Sequence, residues 1–423
     1  MISQKEFINR RVELFSKIKD CSVLILFAGL SKKMSADEDY DFYCNRNFYY
    51  YTNILQEGSI YIGIKLDDVV TEYLFISPYD ELKEKWTGKR LSKDEAIEKS
   101  GIDNILYLDS FNPKLSIILD RETDTYGNIN YLYMDYDQEQ KIAYKKGVED
   151  FQKELSSRYN YLKFVDIFPF AISQRMVKSL AEIKEFKEAV KTTDVGLKKL
   201  IKSVRPGLYE YQLSSLFYYT VQDHDYSALS FPTICGSGVH GACLHYTTPL
   251  DKLKDGDLVL FDLGAKHDGY CADISRTYPI NGKFNPLQKT IYEIVLGCNK
   301  MVISIIKPGI RISEIQEKVV DYLALNCLNA KLINNKEEIK NYYFHNISHH
   351  IGLDTHDISD RSLPLVPGNI ISDEPGLYFK DLGIGIRIED DILVTDDGCV
   401  NLSAGIIKEV DDIEKAMSKS EKN

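Results

Sequence analysis

The hydrophobic pattern of the chain switches between two periods. In MISQKEFINRRVELFSKIKD, Phe7, Ile8, Val12, Leu14, Phe15 and Ile18 fall at helical spacing, and Ser3 with Glu6 has the spacing of a capping box ahead of them. SVLILFAGL (22–30), GSIYIGIKL (58–66) and TEYLFISP (71–78) read as strands, the last two joined by a turn at Asp67-Asp68. SKDEAIEKSGI (92–102) reads as a helix closed by Gly101. NILYLD (104–109) and YLYMDY (131–136) add strands. Strands interleaved with helices predict an α/β domain with a mixed sheet.

After FVDIFPFAISQRMVKS (164–179) the pattern becomes helical. SLAEIKEFKEAVKTTDVGLKKLIKSV (179–204) predicts one long helix that stops before Pro206-Gly207. The boundary is placed at 172/173, giving domains 1–172 and 173–423. The second domain carries an internal echo. VRPGLYEYQL (204–213) returns as IKPGIRISEIQ (306–316), and GDLVLFD (256–262) returns as GNIISDE (368–374). In the second pair an acid stands six residues after the glycine both times. Two copies of one unit would give a pseudo-two-fold α+β domain.

Composition narrows the class. A chain of 423 residues with 44% hydrophobic and 27% charged residues can bury two ordinary cores. A formal net charge of -12 argues against nucleic acid or an anionic membrane as partner. The longest apolar run, 22–30, is too short to span a bilayer. The N-terminus does not read as a signal peptide. The 8 Cys form no CxxC pair and read as reduced core residues, so the expected location is cytoplasmic.

Against that background the acids of GDLVLFDLGAKHDGYCADISRTYP (256–279) stand out, because Asp262 and Asp273 sit in apolar strands. A turn centred between His267 and Asp268 puts them opposite each other. A turn at Asp268-Gly269 slips the register by two and keeps both on one face. In EPGLYFKDLGIGIRIEDD (374–391), a turn centred between Asp381 and Leu382 puts Glu374 opposite Glu389, with Arg387 on the same face. Four converging carboxylates would repel and destabilise the fold. Two divalent cations balance them, and hard oxygen donors with one imidazole suit Mn²⁺, with Co²⁺, Zn²⁺ or Fe²⁺ as alternatives. YYFHNISHHIGLDTHD (342–357) supplies His345, His349, His350 and His356, and CLHYTTP (243–249) supplies His245. His224, His240 and His267 read as ordinary hydrogen-bonded residues.

The order His245, Asp262, Asp273, His349, Glu374, Glu389 resembles the pita-bread metallopeptidases, and more narrowly the Xaa-Pro aminopeptidases (aminopeptidase P). RPGLYEYQL, SFPTICGSG, LHYT, SHHIGLDTHD, DEPGLY and GIRIEDDILVT support this in the second domain, YCNRNFYYYTNI (43–54) and KWTGKRL (85–91) in the first. The resemblance implies an α/β N-terminal domain and a C-terminal pita-bread domain. It implies Asp262, Asp273, His349, Glu374 and Glu389 as ligands of two metal ions, with Asp273 and Glu389 bridging. Glu374 would also be the acid/base, and His356 would contact the substrate carbonyl. His245 and His345 would line the site beside the residue after the scissile bond. Arg387 would hold carboxylates in place. Trp86 would reach a neighbouring subunit's site in a homo-oligomer, a dimer or tetramer. Two positions depart from the family pattern. Asp373 precedes Glu-Pro-Gly where an apolar residue is usual, as a surface group or a support for the ligands. His350 stands beside His349 at a variable position.

The expected reaction is hydrolysis of the bond between an N-terminal residue and a following proline, with a metal-bridging hydroxide as nucleophile. Proline lacks an N–H and fixes φ, so such an enzyme needs a pocket shaped for it. A dipeptidase restricted to Xaa-Pro (a prolidase) would use the same site. A metal-free binding protein reusing the fold would have lost ligands, and all five are present.

Overall fold

The computed structural model describes residues 2–121, 126–136, 142–225 and 227–418. It divides into two compact units, Ile2–Gln174 and the chain from Arg175 onward.

The first unit is built on six strands: β1 (Ser22–Phe27), β2 (Ile60–Leu66), β3 (Val69–Ile76), β4 (Ile105–Tyr107), β5 (Tyr131–Met134) and β6 (Lys163–Asp166). They form one mixed sheet in the order β4-β3-β2-β1-β5-β6. β2 pairs antiparallel with β1 and β3; the β3/β4, β1/β5 and β5/β6 pairs are parallel. Asp67 and Asp68 form the β2–β3 turn with φ of 49° and 61°, the left-handed pair that lets a two-residue hairpin twist correctly. Val23 and Ile25 enter a core cluster with Ile62, Phe75 and Leu132, while Leu24 and Leu26 are buried on the other face. Burial on both faces explains why SVLILF is apolar without alternation.

Helices α1 (Gln4–Lys17), α2 (Arg46–Thr52), α3 (Glu81–Thr87), α4 (Lys93–Ser100), α5 (Phe111–Leu119) and α6 (Ile142–Arg158) complete this unit, and α7 (Phe168–Met176) runs across the division. The capping box expected at Ser3 does not form: its side chain makes no cap bond, and its carbonyl accepts from Glu6 N at 3.0 Å instead. Val12, counted on the apolar stripe, is 65% exposed. The box at Ser92 and Glu95 does form, and Gly101 closes α4 in the left-handed conformation.

The second unit begins with α8 (Leu180–Ser203) and α9 (Glu210–Asp225), and repeats the arrangement in α10 (Pro286–Ile305) and α11 (Ile312–Asn329). The echo seen in the sequence is a backbone repeat. Gly207 and Gly309, after the two prolines, have φ of 93° and 92°. Gly207 N donates to Leu253 O at 2.9 Å, and Gly309 N donates to Leu365 O at 2.8 Å. In return Leu253 N donates to Leu208 O at 2.7 Å, and Leu365 N to Ile310 O at 2.8 Å. The matched bonds fix each helix pair to the chain that enters its ribbon.

The strands that follow are β7 (Ala228–Leu229), β8 (Ile234–Ser237), β9 (Leu258–Leu263), β10 (Ala265–His267), β11 (Tyr270–Cys271), β12 (Ile274–Pro279), β13 (Ile370–Asp373), β14 (Gly376–Phe379), β15 (Ile384–Arg387), β16 (Asp390–Val394) and β17 (Cys399–Asn401); α12 (Val410–Ser418) ends the described chain. The first ribbon takes the second of its two expected registers. Its turn is Asp268-Gly269, both with positive φ, so Asp262 lies opposite Ser275 and not Asp273. In the second ribbon Gly376 lies opposite Arg387 and Asp373 opposite Asp390, which keeps Glu374 and Glu389 in the expected register at the break between two strand pairs.

Gly264 breaks the first ribbon into its two pairs. A Cβ there would stand 1.8 Å from Ala272 O, a backbone atom that cannot step aside. Gly264→Ala is expected to destabilise the protein by about 1–3 kcal/mol, the usual cost of overpacking. Urea unfolding measures this, and an unchanged midpoint would contradict it.

Candidate metal centre

Each half-ribbon presents its acids by parity. Asp262 leaves β9 and Asp273 directly precedes β12; Glu374 and Glu389 flank the β14–β15 hairpin. With His349 all four line a cavity of about 240 Å³. Among the described residues, Asp273, His349 and Glu389 offer ligand atoms within 4.8 Å of one another. His349 Nε2 stands 3.4 Å from Asp273 Oδ2 and 3.5 Å from Glu374 Oε1. Its Nδ1 donates to His350 O at 3.1 Å, which leaves the Nε2 lone pair facing the carboxylates.

A cationic frame stands behind the acids. Arg387 donates from Nη2 to Asp262 Oδ2 at 2.6 Å, from Nε to Ser275 Oγ at 2.8 Å and from Nη1 to Tyr378 Oη at 3.1 Å. Ser275 Oγ donates on to Glu389 Oε2 at 2.7 Å, and Ser372 Oγ to Glu374 Oε1 at 3.2 Å. Asp391 Oδ2 accepts from Asp273 N at 3.3 Å.

The remaining expected residues divide. His245, His345 and His356 line the cavity. His345 Nδ1 donates to Asn346 O at 2.8 Å, and its Nε2 accepts from Tyr378 Oη at 2.9 Å. The His356 ring lies 4.2 Å from that of His349. Burial, then the Arg387 charge, pulls the His345 pKa down to about 4; burial, then neighbouring His349, does the same for His356. Trp86 belongs to the first unit, on a seven-residue helix with no buried residue, and is 84% exposed. Asp373 is fully buried and accepts from Asn299 Nδ2 at 2.9 Å, which excludes the surface reading. His267 pairs with Glu185 at 2.9 Å and Asp225 at 3.3 Å.

Sequence reasoning missed Ser275, Ser372, Tyr378 and Arg361. Ser275 and Ser372 were within reach, since each shares strand parity with a named acid. Arg361 lines the cavity from an irregular segment and gave no periodic signal.

The donor set fits divalent cations on two observations. Among the described residues, nothing hydrogen-bonds to the buried Asp262 Oδ1. Burial, then mutual repulsion, pushes the Asp273 and Glu389 carboxyls well above their ordinary range. Burial also raises Glu374, although His349 and Arg387 oppose it. Such a cluster is unhappy as four anions and is satisfied by added positive charge.

The sign of the pH dependence follows. In the unfolded chain these carboxyls titrate near about 4. The metal-free folded state holds their protons to higher pH, so its stability falls as pH rises above that value. His345 and His356, depressed to about 4, act oppositely, but only up to their unfolded pKa of about 6.5. Above about pH 6.5 only the carboxyls still act, so metal-free protein is expected to lose thermal stability as pH rises beyond that point, and Mn²⁺-loaded protein to lose much less. Parallel melting curves for the two forms would contradict the assignment.

These features define a class. The chain belongs to metallopeptidase family M24, which matches residues 184–396, and residues 7–126 match the aminopeptidase P N-terminal domain. It is a metallo-hydrolase with the C-terminal pita-bread fold. Within that family it stands among the Xaa-Pro aminopeptidases. The Escherichia coli Xaa-Pro aminopeptidase is 33% identical over 98% of this chain and 98% of its own length. Xaa-Pro aminopeptidase 3 of Dictyostelium discoideum is 32% identical over 99% of this chain and 83% of its own. The structure of E. coli aminopeptidase P with the inhibitor Pro-Leu superposes with a TM-score of 0.90 at 32% identity, covering all of both chains. Among the described residues no helix is long and apolar enough to cross a membrane.

Proposed function

We propose that this protein releases the N-terminal residue from peptides with proline at the second position. The observation that carries the reading is the set of buried and half-buried carboxylates gathered around His349 in one cavity, in a chain similar over its whole length to an Xaa-Pro aminopeptidase. Asp262, Asp273, His349, Glu374 and Glu389 would hold two divalent cations, Mn²⁺ in the first instance. When bound, the ions would polarise the scissile carbonyl and make a water acidic enough to attack it near neutral pH.

The chain's own residues supply the rest. Glu374, which lines the cavity, would take the proton of the attacking water and return it to the departing proline nitrogen. His356 lines the same cavity beside His349, where a ring N–H would meet the oxyanion as it develops. His345, held between Asn346 O and Tyr378 Oη, is oriented to border the proline with His245. Arg387 keeps Asp262 and, through Ser275, Glu389 aimed into the cavity. No disulfide joins any of the eight cysteines among the described residues, which fits a reducing cytoplasm.

The test compares Mn²⁺-loaded protein on Arg-Pro-Pro and Gly-Pro. Release of arginine from the tripeptide is expected, with the dipeptide the poorer substrate. Cleavage of Gly-Pro with Arg-Pro-Pro untouched would assign a dipeptidase instead.

A further inference from the structure

One fully buried acid in the catalytic unit has no part in the cluster just described. Glu210 is the first residue of α9, and its side chain is 0% exposed. Its Oε1 accepts from Ser237 N and Ser237 Oγ, both at 2.7 Å. Its Oε2 accepts from Tyr246 Oη at 3.0 Å and Asp251 N at 3.1 Å. Ser237 and Asp251 bound the segment that carries His245 to the lining of the cavity, and Tyr246 is the next residue along. The Tyr246 hydroxyl thus ties the residue next to His245 directly to Glu210. The Tyr246 ring stacks on His240 with centroids 4.4 Å apart, and His240 Nδ1 lies 3.4 Å from Glu210 Oε1.

The internal repeat supplies the control. The residue that opens α11, as Glu210 opens α9, is Ile312, and it is buried too. The helix-pair architecture is therefore satisfied by an apolar side chain at this place. A buried carboxylate with four donors is needed by what it gathers, not by the helix it starts.

We propose that Glu210 is a positioning residue that sets His245 over the cavity by gripping Tyr246 and both ends of the segment 237–251. The inference rests on the proposed role of His245 beside the substrate's proline. Loss of the grip leaves the metal ligands alone and lets the histidine swing.

The experiment is a double-mutant cycle on the Mn²⁺-loaded full chain with Arg-Pro-Pro. Glu210→Gln and Tyr246→Phe are each expected to lower kcat/KM by about tenfold, well within what a small misplacement costs, while metal content stays at the wild-type level. In a His245→Ala background both changes are expected to cost nothing further, because the group they position is gone. Additive losses in that background would reduce Glu210 to a structural role and overturn the inference. So would full activity in Tyr246→Phe, which removes one hydroxyl and keeps the test open should Glu210→Gln fold poorly. If His245→Ala is itself as active as wild type, the role given to His245 falls and this inference with it. If His245→Ala is impaired but the cycle is additive, only the inference falls.

Discussion

Glu389→Ala is expected to abolish stoichiometric metal uptake and to lower turnover of an Xaa-Pro peptide by about a thousandfold or more. Losing an outer hydrogen bond to a ligand already costs about 10–100-fold in comparable sites. Glu389 is more than such a support. It belongs to the tight group with Asp273 and His349, it is buried, and Ser275 and Arg387 hold its carboxylate toward the cavity. The stability effect should have the opposite sign. In metal-free protein Glu389 is one of several mutually repelling carboxyls, with Asp273 the leading source of repulsion after burial itself. Removing it relieves that repulsion, so the metal-free variant should melt no lower than metal-free wild type. Elemental analysis, peptide hydrolysis and thermal melting read the three outcomes. Normal metal content with normal turnover would remove Glu389 from the ligand set.

Asp390→Ala is expected to destabilise the protein by about 3–5 kcal/mol. Asp390 is fully buried and accepts from Arg276 Nη2 at 2.8 Å, Ser403 Oγ at 2.8 Å, Asn299 Nδ2 at 3.2 Å and the Lys408 ammonium. Burial works against the anion, but Arg276 and Lys408 win and hold its carboxyl below the ordinary range. Its loss strands the Arg276 guanidinium, which is as deeply buried as the acid. The damage reaches the metal cluster through the backbone. Arg276 Nη1 donates to Glu389 O at 2.6 Å and to Ser275 O at 2.9 Å, so the same cation fastens the two ribbons beside the ligands. Urea unfolding should show a lower midpoint with little change in slope. A shift smaller than about 1 kcal/mol would mean that solvent or another side chain replaces the acid.

Much of the site was legible because strand side chains repeat every two residues. With either of the two turns considered for the first ribbon, Asp262 and Asp273 share one face, and the observed slip to Asp268-Gly269 changed their partners without changing that face. The Pro-Gly echo was legible for a similar reason: a glycine with positive φ after a helix has few other uses, and Gly207 and Gly309 adopt nearly the same angle. What failed was local chemistry that several conformations satisfy equally well. Ser3 had the right spacing for a cap and used its carbonyl instead.

The sequence by itself therefore determined the two-unit plan, the internal repeat and the face on which the acids gather, because these depend on short-range periodicity. Only the tertiary structure decided what surrounds them. Arg276 reaches Asp390, Glu210 closes the segment bearing His245, and Arg361 enters the cavity through contacts between residues far apart in the chain. Such contacts leave no period to read: a buried charge finds its partner by where the backbone brings it, and any acid of suitable reach could have answered.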